Sequence, residues 1–173
     1  MPHKGLYPDV VTYNTLIDAL CKDNQVQFAR ELFKEMESKG LKPNVVTYDS
    51  LNHGLCQNAL IDEAIHMFND MKNSAVLPSI FTYTILMDGL CEVGRLEEAV
   101  SIFSFLVAKG LPLDVHTYTL MIKGFCKKGL LTDANELVKK MEDDGCPLYL
   151  QYNYQGDSFM VMISARLWSL STL

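Results

Sequence analysis

The sequence predicts an all-α fold, a solenoid of antiparallel helical hairpins, and three observations carry that prediction. A block of 35 residues recurs four times without insertion, opening at Val10-Val11-Thr12-Tyr13-Asn14, Val45-Val46-Thr47-Tyr48-Asp49, Ile80-Phe81-Thr82-Tyr83-Thr84 and Val115-His116-Thr117-Tyr118-Thr119. A fixed period of this size marks an array of small units that bury their apolar faces only against their neighbours. Each block also holds two apolar runs at helical spacing, and each is punctuated by turn residues and a proline at fixed places.

The elements of one block follow in order. In its first helix Tyr13, Leu16, Ile17, Leu20 and Cys21 fall at i, i+3, i+4, i+7 and i+8, a single helical face. Tyr83, Leu86, Met87, Leu90 and Cys91 repeat it, as do Tyr118, Met121, Ile122, Phe125 and Cys126. The second block departs with Asn52 where the others have Ile17, Met87 and Ile122, and a buried amide there needs partners. Asn24, Gly94 and Gly129 mark the turn between helices, with Ala59 breaking the pattern. The second helix carries Val26, Ala29, Leu32, Phe33 and Met36. Its small residue recurs as Ala64, Ala99 and Ala134, as expected where two helices approach closely. Gly40, Gly110 and Gly145 then stop it, Ala75 being the exception, and Pro43, Pro78, Pro112 and Pro147 follow.

These marks divide the chain into repeats at 10–44, 45–79, 80–114 and 115–149. Pro8-Asp9 matches Pro43-Asn44 and sets Met1 in register with Met36, Met71 and Met141, so residues 1–9 read as the end of a preceding repeat and the chain as a fragment. The period fails over 150–173, which contains Tyr152, Tyr154, a Phe159-Met160-Val161-Met162-Ile163 run and Trp168. Two readings of this tail stay open, a divergent cap over the last apolar face and a stretch translated out of frame.

Composition narrows the function classes. Hydrophobic residues make up 49% and charged residues 21%, which excludes disorder across the repeats. The net charge of −6 weighs against strong non-specific attraction to nucleic acid, although a local stripe of lysines remains compatible with it. No apolar run reaches membrane-spanning length, and the opening Met1-Pro2-His3-Lys4-Gly5 is neither a signal nor a transit peptide. Cys21, Cys56, Cys91 and Cys126 share the twelfth position of their repeats, which reads as small, buried and reduced rather than as a metal or disulfide framework. Cys146 is out of that register and reads as a loop thiol. Neither cofactor nor metal is expected, and no nucleophile–base pair or carboxylate cluster breaks the register, so an enzyme is not expected.

Two positions vary while their neighbours do not. Asn14, Asp49, Thr84 and Thr119 are polar, poor helix formers one residue past the buried tyrosine. Asp9, Asn44, Ser79 and Asp114 close each block just before the next helix, where capping alone already explains their type. Thr12, Thr47, Thr82 and Thr117 do not vary and read as structural hydroxyls of the first turn.

A 35-residue hairpin opening Val-Val-Thr-Tyr-Asn-Thr-Leu-Ile and closing Met-x-x-x-Gly-x-x-Pro-Asn resembles the pentatricopeptide repeat (PPR). The segment Val10 to Asn44 is similar to the P-type repeats of plant fertility-restorer-like proteins. The resemblance implies a right-handed superhelical solenoid with the first helices on its concave face, binding single-stranded RNA in organelles at one nucleotide per repeat. It implies base-reading pairs at Asn14 with Asn44, Asp49 with Ser79 and Thr84 with Asp114. Thr119 would pair with Tyr149, a type outside the family's code. It implies base-sandwiching by Val11, Val46, Phe81 and His116. The three complete pairs correspond to a pyrimidine, cytosine over uracil, then a weakly specified base, then guanine. Lys22 and Lys127 are candidate phosphate contacts, replaced by Gln57 and Glu92 in the middle repeats, with a solvated surface as the plain reading.

Single-stranded RNA is thus the expected partner, with other RNA-processing proteins beside it and neither DNA nor a membrane. The resemblance favours a mitochondrial setting over a chloroplast. Two other classes stay open. Related solenoids bind peptides, so a protein-interaction scaffold fits the acidic charge, and a non-functional truncated repeat fragment fits the opening and the tail.

Overall fold

The computed structural model of the protein describes residues 7–146, so the readings made for Met1, Pro147, Tyr149 and residues 150–173 lie outside the described residues. Eight α-helices follow in order among the described residues, with no strand. They are α1 Val10–Lys22, α2 Val26–Ser38, α3 Val45–Gln57, α4 Ile61–Asn73, α5 Ile80–Glu92, α6 Leu96–Ala108, α7 Val115–Lys127 and α8 Leu131–Asp143. Each repeat of the sequence is therefore a hairpin of two helices of 13 residues.

The chain forms two compact units, with the boundary inside α6 after Ile102. In the first unit α1 packs on α2 and α3 on α4, and the first helices of successive repeats pack directly on each other, α1 on α3 and α3 on α5. The second unit holds α7 packed on α8 together with the end of α6.

Local chemistry explains where the helices begin and end. Asp9, Asn44, Ser79 and Asp114 are N-caps in extended backbone, and each side chain accepts the N–H of the threonine three residues on. At Asn44 and Ser79 the threonine hydroxyl returns the bond to the cap's own N–H, so two orphan donors are satisfied together. The C-terminal turn closes through Gly40 N–H to Glu37 and Leu41 N–H to Met36, with φ of +74° at Gly40.

The two alanines that break the turn pattern do not break the conformation. Ala59 and Ala75 both take φ of +58°, and Ala75 and Val76 make the same closing bonds, to Lys72 and Met71. A side chain with a β-carbon costs roughly 1–2 kcal/mol in this region. Packing of the second repeat imposes the turn on residues that resist it.

The core follows the predicted faces in part: Leu86, Leu90 and Met121 are buried, but Leu16, expected on the same face of α1, is 46% exposed and Leu20 only half-buried. Tyr13, Ile17, Cys21, Ala29 and Met36 are buried in repeat 1, and Ala64, Ala99 and Ala134 are fully buried at the helix crossings. An aromatic contact ties the second helix of one repeat to the first helix of the next. Phe33 meets Tyr48 edge-on at 5.4 Å, Phe68 meets Tyr83 at 5.5 Å and Phe103 meets Tyr118 at 5.6 Å. Such pairs add about 0.5–1.5 kcal/mol each beyond the area they bury.

Cys21 and Cys56 sit between the first helices of successive repeats. A β-carbon placed on Gly54 would lie 2.5 Å from Cys21 Sγ, and one on Gly89 would lie 2.6 Å from Cys56 Sγ. Each thiol is thus pressed against the bare backbone of the following repeat. Burial pushes the Cys21 thiol up to about 11 and the Cys56 thiol up to about 12, with Asp18 and Asp88 adding to the effect. These are packing groups, not reactive ones.

Candidate nucleic-acid interface

The variable fifth residue of a repeat and the capping residue at its end meet in space where two repeats of the first unit join. Asn14 stands one turn into α1, and Asn44 caps α3. Asn14 Nδ2 donates to Asn44 Oδ1 at 3.2 Å. Thr47, in the first turn of α3, donates its hydroxyl to Asn14 Oδ1 at 2.6 Å, and its N–H bonds to Asn44 Oδ1 at 3.1 Å. A loop cap and a helix-surface amide are thereby joined into one polar junction.

The second junction is built alike from different residues. Ser79 caps α5, its N–H bonding to Thr82 Oγ1 at 3.0 Å while Thr82 N–H bonds to Ser79 Oγ at 3.2 Å. The Thr82 hydroxyl lies 3.2 Å from Ser79 Oγ and also favours the charged form of Asp49. Asp49 is only 8% exposed, and its Oδ1 is buried without a protein partner. Burial raises its carboxyl above the usual value, and the Thr82 bond only partly offsets this.

Thr84 belongs to the first unit and Asp114 to the second. The Thr84 hydroxyl donates to Ile80 O at 2.9 Å, and Asp114 caps α7 through Thr117 N–H at 2.8 Å. Burial pushes the Asp114 carboxyl up, but the bonds from the Thr117 backbone and hydroxyl outweigh it and leave the group below its usual value. The Thr119 hydroxyl donates to Val115 O at 2.7 Å.

At the second position of each repeat stands an exposed side chain. Val11 is 69% exposed and Phe81 63%, and Val46 and His116 are exposed as well. Exposed apolar side chains at one repeated position offer flat surface to whatever lies against the helix. The two candidate lysines both stand in the last turn of a first helix. Both are exposed, and Lys22 bonds Asp18 at 2.6 Å, so its charge is partly matched within α1.

Sequence reasoning missed two contributors. Thr47 and Thr82 read as structural hydroxyls, yet they also reach back to the fifth residue of the preceding repeat. The signal was their invariance beside a varying polar neighbour. Gly54 and Gly89 were also passed over, although both fall two residues before the repeated cysteine.

Comparison with known proteins bears on this arrangement. Models of the PPR repeat family match residues 8–57, 53–92 and 86–127, and a PPR repeat model matches 116–146. The chain belongs to the PPR repeat family. It is 59% identical over 32 residues to a putative pentatricopeptide repeat-containing protein of Arabidopsis thaliana, a match covering 18% of this chain and 6% of that protein. Its fold is similar to the pentatricopeptide repeat protein PPR10 in complex with an 18-nt psaJ RNA element, with a TM-score of 0.75 and 29% identity over 85% of this chain and 21% of that one. It is similar too to the PPR domain of Arabidopsis thaliana protein-only RNase P 1 in complex with tRNA, with a TM-score of 0.70 and 17% identity over 93% of this chain and 81% of that one. The fold is an all-α helical-repeat solenoid.

Proposed function

We propose that this chain binds single-stranded RNA, with one repeat facing one nucleotide. The observation that carries this is the Asn14–Asn44–Thr47 junction, a polar group network between two repeats flanked by the exposed Val11 and Val46. Exposed apolar side chains on both sides of a polar edge suit a base, which has two apolar faces and a hydrogen-bonding rim. The likeness to PPR10 bound to RNA, at 29% identity, supports the same reading.

Asn14 with Asn44 then faces a pyrimidine, Asp49 with Ser79 a weakly specified base, and Thr84, by the pairing that the family resemblance gives it with Asp114, corresponds to guanine. Val11, Val46, Phe81 and His116 lie against the base faces, and Lys22 and Lys127 contact phosphate. The setting is organellar RNA processing or stability, in mitochondria by the restorer-like character of the repeats.

Affinity is weak, because few phosphates are neutralised and long arrays normally combine many contacts. Fluorescence anisotropy with a labelled single-stranded RNA at low salt tests the reading. Saturable binding that an unlabelled strand competes away and a duplex does not is expected. Absence of RNA binding together with peptide binding would establish the scaffold reading in its place.

A further inference from the structure

One face of repeat 1 lies open, and its residues differ from those that receive a neighbour elsewhere. Leu51 and Leu55 are buried in α3, which packs on α1, and Leu86 and Leu90 are buried in α5, which packs on α3. Their counterparts in α1 are Leu16, which is exposed, and Leu20, which is half-buried. Two substitutions set this face apart. The tenth position is Gly54, Gly89 and Gly124 in the later repeats but Ala19 in repeat 1. A β-carbon on Gly54 would lie 2.6 Å from the Cys21 β-carbon, and one on Gly89 would lie 2.8 Å from that of Cys56. No rotamer moves a β-carbon, so a first helix cannot sit on Ala19 as closely as α1 sits on α3. The nineteenth position is acidic in the later repeats, at Glu63, Glu98 and Asp133, and Glu63 pairs with Arg30 of the repeat before it. Repeat 1 has Phe28 there, 58% exposed. The two changes turn away a hairpin of this chain's own plan and present apolar surface in its place.

Leu20, Phe28 and Leu32 line a groove between α1 and α2, with Gln25, Glu31 and Glu35 along it. Glu35 is held by Lys39 and by the Tyr13 hydroxyl. Glu31 is exposed and has no ion-pair partner among the described residues. We infer that this groove docks an amphipathic helix of a partner protein, with the helix's apolar stripe on Leu16, Leu20, Phe28 and Leu32 and a lysine or arginine against Glu31. A groove between two antiparallel helices takes a single helix through side chains at i, i+3, i+4 and i+7. The uncompensated carboxylate at its edge selects a basic flank. A second copy seated face to face would bring one acidic rim onto another, which opposes self-association through this surface. None of these residues is a base-reading candidate, so the surface goes beyond the RNA-binding function proposed above and does not depend on it.

The test selects a phage-displayed library of randomised helices, roughly four turns long, on the full chain. Phe28→Glu serves as the counter-selection. It installs the residue type of repeats 2 and 3 at an exposed position, so the fold is retained, which circular dichroism verifies. Enriched helices should carry apolar residues at i, i+3, i+4 and i+7 with lysine or arginine beside the stripe. A labelled synthetic peptide of the most enriched sequence should bind Phe28→Glu on the order of tenfold more weakly than wild type, as loss of one anchoring side chain does. Selection on Glu31→Lys should turn the flank preference from basic to acidic. No enrichment over the counter-selection overturns the inference, as does an enriched peptide that binds Phe28→Glu as tightly as wild type. Acidic flanks selected by the wild-type chain overturn the basic partner. A dimer in sedimentation of the chain alone, dissolved by Phe28→Glu, would assign the face to a second copy instead.

Discussion

At the eighth position repeat 1 has Ile17 and repeat 2 has Asn52, and both side chains are fully buried. Ile17 is at home there, whereas Asn52 buries an amide whose nitrogen and oxygen both lack partners. One turn earlier Asn14 closes a complete hydrogen-bond circuit, while Asp49 leaves a carboxylate oxygen buried and unpaired. At the turns repeat 1 uses Asn24 and Gly40, and repeat 2 forces Ala59 and Ala75 into the same left-handed backbone. Two hairpins of one plan thus differ in how well their residues fit it. An array averages such misfits, because each repeat is held by its neighbours as much as by itself. A repeat that is poor alone persists between good ones, and its variable fifth position can drift toward unusual chemistry.

The largest expected effects come from where the repeats press together. Gly54→Val would drive a branched side chain into Cys21, and should lower stability by roughly 1–3 kcal/mol in urea denaturation, as overpacking does. A neutral result would mean that α1 and α3 separate easily. Asn52→Ile, which installs the residue of repeats 1 and 4, should raise stability by about 1–3 kcal/mol by removing two unpaired buried groups. An unchanged or lower midpoint would show that Asn52 is satisfied in solution and that repeat 2 is not the weak member.

A smaller gain is expected at the turns. Ala59→Gly and Ala75→Gly should each stabilise by about 1 kcal/mol by relieving the positive φ, whereas Gly40→Ala should destabilise by a similar amount. Thermal melts of the three variants would expose any departure from this opposition.

The pH response distinguishes the two fifth positions further. The Asp49 carboxyl is raised by burial, so the folded chain holds that proton more tightly than the unfolded chain does. Its contribution to stability is present when protonated and is lost as pH rises through the raised value. Asp49→Asn should therefore melt higher than wild type at neutral pH, with the difference shrinking as the pH falls toward the ordinary carboxylate value of 3.8. A difference that stays constant with pH would place the carboxylate in water.

Much of this was legible before the structure. The period, the capping residues, the buried alanines and the amide at Asn52 all follow from spacing and residue type, because helical faces and caps are local rules. The burial of Asp49 was not legible, since a polar residue at a variable position reads as exposed. Nor was the persistence of the turns at Ala59 and Ala75, where tertiary packing overrides local preference. The part played by Thr47 depends on which atoms face each other across two repeats, and the pairing of Lys22 with Asp18 on which way a side chain lies. Periodicity along the chain reports neither.

The central claim is that the junction residues read bases in register with the repeats. It is tested most directly by mixing the chain with a randomised single-stranded RNA pool, sequencing the bound fraction, and repeating this with Thr84→Asn. The account predicts enrichment of cytosine at the nucleotide facing repeat 1 and guanine two positions on, with the variant moving only the second preference, toward uracil. Bound RNA with no positional enrichment, or a guanine preference that survives Thr84→Asn, would contradict it.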